Sequence, residues 1–432
     1  MVKVAAFLPA KGTSNRIVCK NMKILAGKPL FLHTLEKLVN CNLIDEVYLD
    51  SESDIILDYA DHLNYHKFKR DIQLSTNRTD GHKLFYNEIS QVDADIYMQV
   101  LCTSPFIKET TIENCIKVLL ENENYDSVVL VRKEKQYLWD EDGPTYDINN
   151  IPNSNDLPDT IIESMGLYAI RSEVALRKKM RIGDMPYLMQ CDPIEGIDVN
   201  YQNEFDLANT IMVGMNHERA NKLKLLSNHL SSAIFSDILK EYGINSTIVG
   251  LTPNISGKKC FGRANTIKLR RLSPNEDFRG IYNALKSYLF VKEGDIIIVE
   301  TEVPEFAYFG DLNANLAIRS GSIATIINGS TRDSKKVKDL DYPVYSMANC
   351  CKDIKYEGTL ESYNVPVCIK GVTIYPDDLV FSDDDGIVVI PKDLEIEIIT
   401  KAIGAISNEK DIIHNILLGR DTSDIIKKYG LF

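Results

Sequence analysis

Residues 8–30 read LPAKGTSNRIVCKNMKILAGKPL, from Leu8 to Leu30, and follow directly on the apolar run KVAAF. An apolar strand, a short loop and a new amphipathic helix form the opening unit of a parallel sheet. The stretch carries Gly12 and five cations, Lys11, Arg16, Lys20, Lys23 and Lys28, in a chain of formal net charge −13. A turn requires a Gly or an Asn, but not that much positive charge. Ligands of open α/β sheets sit at the carboxyl ends of the strands, where this loop lies. Gly12 would let the backbone approach a phosphate chain, and Lys11, Arg16 and Lys20 would neutralise it. Taken alone, the same residues also read as a solvated surface turn, and no Walker pattern accompanies them.

Outward from this loop, strand-like runs alternate with helical ones up to about Gly214. The strands are KVAAFLP, DEVYLDS, ADIYMQVL and DSVVLVR; LFLHTLEKLVN and TTIENCIKVLLEN repeat apolar residues at helical spacing. Such alternation implies a parallel sheet covered by helices on both faces. MNHERANKLK, from Met215 to Lys224, reads as a polar connection or the tail of a helix. Beyond it, Ile- and Val-rich short strands are separated by turn residues, and the helical stretch EIEIITKAIGAISNEKDIIHNIL follows. Two domains, 1–218 and 219–432, are the natural division of 432 residues.

Composition narrows the class. With 44% hydrophobic and 26% charged residues the chain is ordinary for a globular protein. No apolar stretch approaches the roughly 20 residues that span a bilayer, so no membrane partner is expected. The acidic balance argues against nucleic acid, and basic clusters become local anion sites. Nine cysteines without paired spacing and seven histidines without an HExxH pattern indicate neither a disulfide framework nor a zinc site. A cytoplasmic location with reduced thiols is expected.

The wider pattern of the first half resembles the acylneuraminate cytidylyltransferase family, the CMP-sialic acid synthetases. There the loop has the form P-A-R-G-G-S-K-R-I-P-x-K-N, followed by G-K-P-L and a helix. KRDIQLS, VLCTSPFIK, NDLPDTIIESMGLYAI and GIDVNYQNEFDLA resemble later motifs of that family, in order, over about residues 2–212. The resemblance implies a Rossmann-like, glycosyltransferase-A-like nucleotidyltransferase sandwich. It implies a nucleotide loop of Lys11, Gly12, Arg16, Lys20 and Asn21, with Lys20 catalytic and Arg70 holding the nucleotide or its phosphates. Thr103 and Ser104 would line the sugar cleft, and Asp198 with Asn200 would ligate Mg²⁺ or Mn²⁺. Several positions depart from the family pattern. Lys11 replaces an Arg and loses its bidentate fork. Asn15 replaces a Lys, Leu101 a Gln, and Asn200 the second Asp of a D-I-D pair. The reaction implied is transfer of CMP from CTP to a 2-keto-3-deoxy sugar acid.

In the second half, Asp311 precedes Arg332-Asp333 by a spacer of twenty residues, punctuated by Gly310, Gly321 and Gly329. The spacer would be a helix, a turn and a strand returning to one place. Two carboxylates and an Arg suffice to hold a divalent cation and a 2-keto acid. Alone, Arg-Asp at a strand end also reads as a surface ion pair. The run Asp383 to Asp385 reads as a metal cluster or as a turn before GIVVIP. Over about residues 225–405 the text resembles the family shared by the regulator of ribonuclease activity A and the divalent-metal 4-hydroxy-4-methyl-2-oxoglutarate aldolases. That resemblance implies a β/β/α swivelling-type domain. Asp333 would ligate the metal directly and Asp311 through water, while Arg332 and the amides after Gly310 hold pyruvate. Asp311 and Arg332 are thereby placed as catalytic. Lys336 stands where the aldolase pattern has an acidic residue.

Joined, the halves suggest a bifunctional enzyme: a metal-dependent pyruvate aldolase that makes a ulosonic acid and a cytidylyltransferase that activates it for a capsule or lipopolysaccharide. The alternative is a cytidylyltransferase fused to a non-catalytic, oligomerising or regulatory module. Both families assemble, so a homo-oligomer with dimer, trimer or hexamer contacts is expected.

Overall fold

The computed structural model describes residues 2–61, 63–76 and 79–429. The chain divides into two compact units, Met1–Thr210 and Ile211–Phe432. The division falls inside one 26-residue helix, Gln202–Ser227, which absorbs the polar stretch after Gly214.

Seven strands make the sheet of the first unit: β1 (Val4–Pro9), β2 (Glu46–Ser51), β3 (His66–Lys69), β4 (Ile96–Val100), β5 (Ser127–Glu134), β6 (Thr160–Arg171) and β7 (Pro186–Gln190). Their order is β7-β5-β6-β4-β1-β2-β3. All six residues of β1 are buried, because the strand lies mid-sheet with both faces covered. Val4, Ala6 and Leu8 enter one core with Phe31 and Leu35 of helix α1 (Leu30–Val39) and Ile112 and Ile116 of the helix Glu109–Glu121. Ala5 and Phe7 enter the opposite core with Phe85 and Ile89 of the helix Gly81–Ile89. The period of two thus sorts one strand between two cores.

The sheet is not wholly parallel, as the alternation had implied. Strand β6 runs antiparallel to both β4 and β5. The segment between β5 and β6 holds only a two-stranded ribbon and a single 3₁₀ turn among the described residues. Without a crossover helix the chain returns in the opposite direction. The β5–β6 register slips between Glu163 and Tyr168, where Met165 takes φ 58°. Gly166 follows, and a Cβ there would lie 2.7 Å from Ser104 Oγ.

The second unit is built on a nine-stranded sheet. Its parallel centre is β10 (Cys260–Arg271), β11 (Ile296–Thr301), β12 (Ala324–Ile327) and β13 (Val344–Ser346), flanked by the short strands β8 (Thr247–Ile248) and β9 (Thr252–Pro253), by β14 (Gly358–Tyr363), and by β15 (Leu379–Ser382) and β16 (Ile387–Ile390). A second sheet of three short parallel strands joins Ala307–Phe309, Ser330–Thr331 and Ala348–Asn349. Ile297 and Val299 of β11 pack with Phe309, Ala314 and Val337, tying the large sheet to the small one and its helices. Ile296 and Ile298 face the opposite core. Phe235, Phe261 and Phe381 form a third cluster beneath the helices Ser232–Glu241 and Glu395–Leu417. The architecture is mixed α/β, with a β/β/α arrangement in the second unit.

All nine cysteines are free thiols, and five of them are buried. Among the described residues, no helix is long and apolar enough to cross a membrane.

Gly262 of β10 is a position of close backbone approach: a Cβ there would lie 2.0 Å from the Gly294 carbonyl oxygen. Gly262→Ala should destabilise the protein by about 1–3 kcal/mol, as overpacking does, with a lower urea midpoint as the measured outcome. An unchanged midpoint would mean that the Gly294 turn moves freely.

Candidate functional site

Each unit carries a large cavity. In the first unit, a cleft of about 680 Å³ opens at the carboxyl ends of β1 and β4. Lys11, Arg16, Lys20, Asn21, Arg70, Thr103, Asp198 and Asn200 all line it, as do Leu101 and Met165. Gly12 and Ser104 do not. The Gly12 N–H donates to Glu52 Oε1 at 2.8 Å, and a Cβ at Gly12 would meet Ser53 Cβ at 2.7 Å. Its smallness serves packing against the end of β2. Ser104 is 1% exposed, with its Oγ unpartnered beneath Gly166.

The loop is held by two buried side chains of the 3₁₀ turn Lys20–Met22. Lys20 Nζ donates to the Val199 carbonyl at 2.8 Å, drawing the loop onto the Asp198–Asn200 segment. Burial lowers the Lys20 pKa from the usual lysine range, the nearby Cys102 and Asp198 raise it, and Arg16 lowers it further. Asn21 Nδ2 donates to the Lys11 carbonyl at 2.8 Å, and Asn21 Oδ1 accepts from Cys102 Sγ at 3.2 Å. The loop is therefore latched across its base.

Behind Arg70 lies a buried polar chain. Arg70 Nε donates to Asp50 Oδ1 at 2.8 Å and Nη2 to the Asp50 carbonyl at 2.8 Å. Glu88, wholly buried, accepts from Gln99 Nε2 at 2.6 Å. Burial first, and then the charge and hydrogen bonding of Asp50, hold the Glu88 carboxyl well above the usual carboxylate range. Glu88 keeps its proton, and Asp50 is the carboxylate that pairs with Arg70.

Asp198 bears on a metal. Its Oδ1 is buried without a hydrogen-bond partner, while Oδ2 accepts from Asn200 Nδ2. An orphaned carboxylate oxygen in a cationic cleft fits Mg²⁺ or Mn²⁺, which takes one or two carboxylates and completes its shell with phosphate and water. Asn200 presents its nitrogen to Asp198, so ligation by Asn200 needs the amide turned. No cluster of three or more His, Cys, Asp or Glu side chains suited to a metal occurs among the described residues.

The cavity of the second unit, about 700 Å³, is lined by Gly310, Asp311, Arg332 and Asp333, together with Tyr282, Leu285, Arg319, Asp353 and Lys355. The spacer folds as helix (Asp311–Ser320), turn (Gly321, φ 95°) and strand (β12), which brings its two ends together. Gly310 lies against the site: a Cβ there would lie 2.7 Å from Asp333 Oδ2 and would displace that carboxylate. Asp333 itself takes the left-handed conformation, φ 54°. Two carboxylates on either side of Gly310 fit a divalent ion, but Lys336 Nζ lies 3.0 Å from Asp311 Oδ2. That ammonium holds the Asp311 carboxyl below the usual range. Arg332 also has a partner, since Nη1 donates to Asp353 Oδ2 at 2.7 Å. Asp353 sits in the plain sequence CCKDIK and carries no motif that would single it out. The run Asp383–Asp385 is a turn: Asp383 accepts from Ser232 N and Oγ, and Asp384 from Gly257 N and Ser256 Oγ.

Comparison with known proteins divides the chain in the same way. Residues 5–180 match the family model described as Cytidylyltransferase, and residues 232–389 the model described as Aldolase/RraA. Protein DlpA of Legionella pneumophila is 30% identical over 183 residues, 42% of this chain and 29% of that protein. A candidate 4-hydroxy-4-methyl-2-oxoglutarate aldolase of Halalkalibacterium halodurans is 31% identical over 119 residues, 27% of this chain and 56% of its own. A pseudaminic acid cytidylyltransferase of Campylobacter jejuni is 30% identical over 131 residues, 28% of this chain and 56% of its own. The chain thus spans about half the length, or less, of these three relatives.

The raised Glu88 pKa has a sign. Folding takes up a proton, so the contribution is complete below the unfolded-state pKa of a glutamate and is lost as pH rises toward the raised folded value. Glu88→Gln keeps the shape without the proton. Its urea midpoint should fall less than that of the wild type between about pH 5 and pH 8; parallel slopes would mean that Glu88 is ionised in the folded protein.

Proposed function

Because residues 5–180 belong to the cytidylyltransferase family and residues 232–389 to the Aldolase/RraA family, we propose that the first unit transfers CMP from CTP to a 2-keto-3-deoxy sugar acid. The observation that carries this reading is the meeting of Lys11, Arg16, Lys20 and Arg70 with the unpartnered Asp198 oxygen in one cleft. The anomeric hydroxyl of the acid forms a bond to the α-phosphorus. The bond from that phosphorus to the bridging oxygen breaks, pyrophosphate leaves, and the hydroxyl proton passes to water. Lys20, fixed between the loop and Val199, supplies positive charge that needs no reorganisation during the step. Lys11 and Arg16 hold the phosphate chain, and Asn21 keeps the loop closed over it. Mg²⁺ or Mn²⁺ held by Asp198, and by Asn200 with its amide turned, would neutralise phosphate charge.

Pyrophosphate release from each of the four NTPs, with sialic, legionaminic, pseudaminic and 3-deoxy-octulosonic acids as acceptors, tests the reading. Release is expected with CTP and one of these acids, and Lys20→Ala should lower kcat by about 10²–10³-fold, as loss of a preorganised donor does. Absence of release with every pair would overturn the proposal.

For the second unit we propose a 2-keto acid site. Arg332 would pair with the substrate carboxylate, the amides at the start of the helix Asp311–Ser320 would receive it, and Asp311 with Asp333 would hold Mg²⁺ or Mn²⁺ in competition with Lys336. Pyruvate aldol chemistry at this site would supply the acid used by the first. The pairs Arg332–Asp353 and Lys336–Asp311 favour a second reading, in which the unit is a regulatory or assembling module whose charges are already balanced. The melting temperature decides between them. Pyruvate or oxalate with Mn²⁺ should raise it in the wild type and leave it unchanged in Arg332→Gln, since a ligand of the folded state stabilises by mass action. No shift in the wild type would favour the module.

A further inference from the structure

The cleft of the first unit has two chemically different walls. Lys11, Arg16, Lys20 and Arg70 follow β1 and β3, on one side of the sheet order, and answer to a triphosphate. Across the cleft, over β4 and β6, stands one further cation, Arg181.

Arg181 is held on three sides. Its guanidinium carbon lies 3.9 Å from the centre of the Tyr168 ring on β6. Nη1 is 3.4 Å from Gln99 Oε1 on β4. A Cβ at Gly81 would lie 2.8 Å from the same Nη1, so a larger residue there would push the fork aside. Its Nε is buried without a hydrogen-bond partner. Among the described residues no carboxylate forms an ion pair with Arg181.

Its neighbours explain that isolation. Gln99 gives its Nε2 to Glu88, which leaves only the neutral amide oxygen facing Arg181. Glu88 keeps its proton, and its neighbour Asp50 is paired with Arg70. The Tyr168 hydroxyl is committed to Glu163. Arg181 is thus a planar, immobilised and uncompensated cation lining the cleft, and a carboxylate is the partner that matches a guanidinium fork.

We propose that Arg181 binds the carboxylate of the acceptor sugar acid, on the wall opposite the nucleotide loop. The inference rests on the CMP-transfer reading and names the residue by which the first unit selects an acid over a neutral sugar.

Steady-state pyrophosphate release by the full chain tests it, with KM measured separately for CTP and for the acid that supports release. Arg181→Gln should raise KM for the acid by about 10- to 100-fold, the weight of a charged hydrogen-bonded pair, and leave KM for CTP within about threefold, a change too small to represent a lost charged contact. Arg181→Lys should fall between the two. A second readout separates binding from a merely structural role. The carboxamide of the same acid should be a far poorer acceptor than the acid for the wild type and an equally poor one for Arg181→Gln. A rise confined to KM for CTP, or undiminished discrimination against the carboxamide, overturns the proposal. If no acid supports release, the transfer reading falls by itself. Arg181 is then judged by melting shifts with the same acids: a shift in the wild type that Arg181→Gln lacks upholds it, and equal or absent shifts overturn it.

Discussion

The buried pairing of Arg70 with Asp50 is the constraint on which the first cleft depends. Their side chains are 3% and 0% exposed, so neither charge could be tolerated without the other. The pairing extends inward: a second carboxyl, Glu88, lies against Asp50, and burial first, then the charge of Asp50, hold it well above the usual carboxylate range. Gln99 then passes the hydrogen-bonded chain from Glu88 toward Arg181. Of the two arginines only Arg70 has a carboxylate partner, and Arg181 keeps a charge that no ion pair answers. A cleft built this way attracts anions without relying on flexible surface lysines.

The second cavity follows a different electrostatic plan. Of its lining groups, Arg332 meets Asp353 and Asp311 meets Lys336, partners from the same unit. A ligand that pairs with Arg332 there exchanges partners with Asp353, whereas one that reaches Arg181 in the first cleft displaces no carboxylate. Such exposed pairs contribute little to stability, and their exchange is correspondingly cheap. The two halves of the chain are similar in size but differ in how their cavities are charged.

Much of this was legible in the sequence wherever a strand end announced a loop. The loop after Val4–Pro9, Arg70 after His66–Lys69 and Thr103 after Ile96–Val100 all came together because successive strand ends share one edge. The spacer between Asp311 and Arg332 was legible for the same reason. Strand direction was not: the apolar run within Thr160–Arg171 reads alike in either orientation, and only its missing crossover helix hinted at the reversal. Gly12 and Ser104 sit within matching motifs yet off the cleft, since a motif records spacing and not which way a group faces. Arg181 was hidden among its neighbours. It closes the run RKKMR, where Arg177 and Lys178 pair with Asp184 on the surface, and nothing in that text distinguishes the one that turns inward.

Crowding at Gly310 has a consequence for how the second cavity can change over evolutionary time. Gly310 has no room for a side chain, and Asp333 occupies a backbone region that few residues accept. The end of the pocket where bonds would be made or broken is therefore nearly frozen against substitution. The rim is not: Tyr282 and Leu285 are 52% and 41% exposed, and can be exchanged at little cost to the fold. Drift in such a pocket alters which molecules enter it long before it alters the charged end that would hold them.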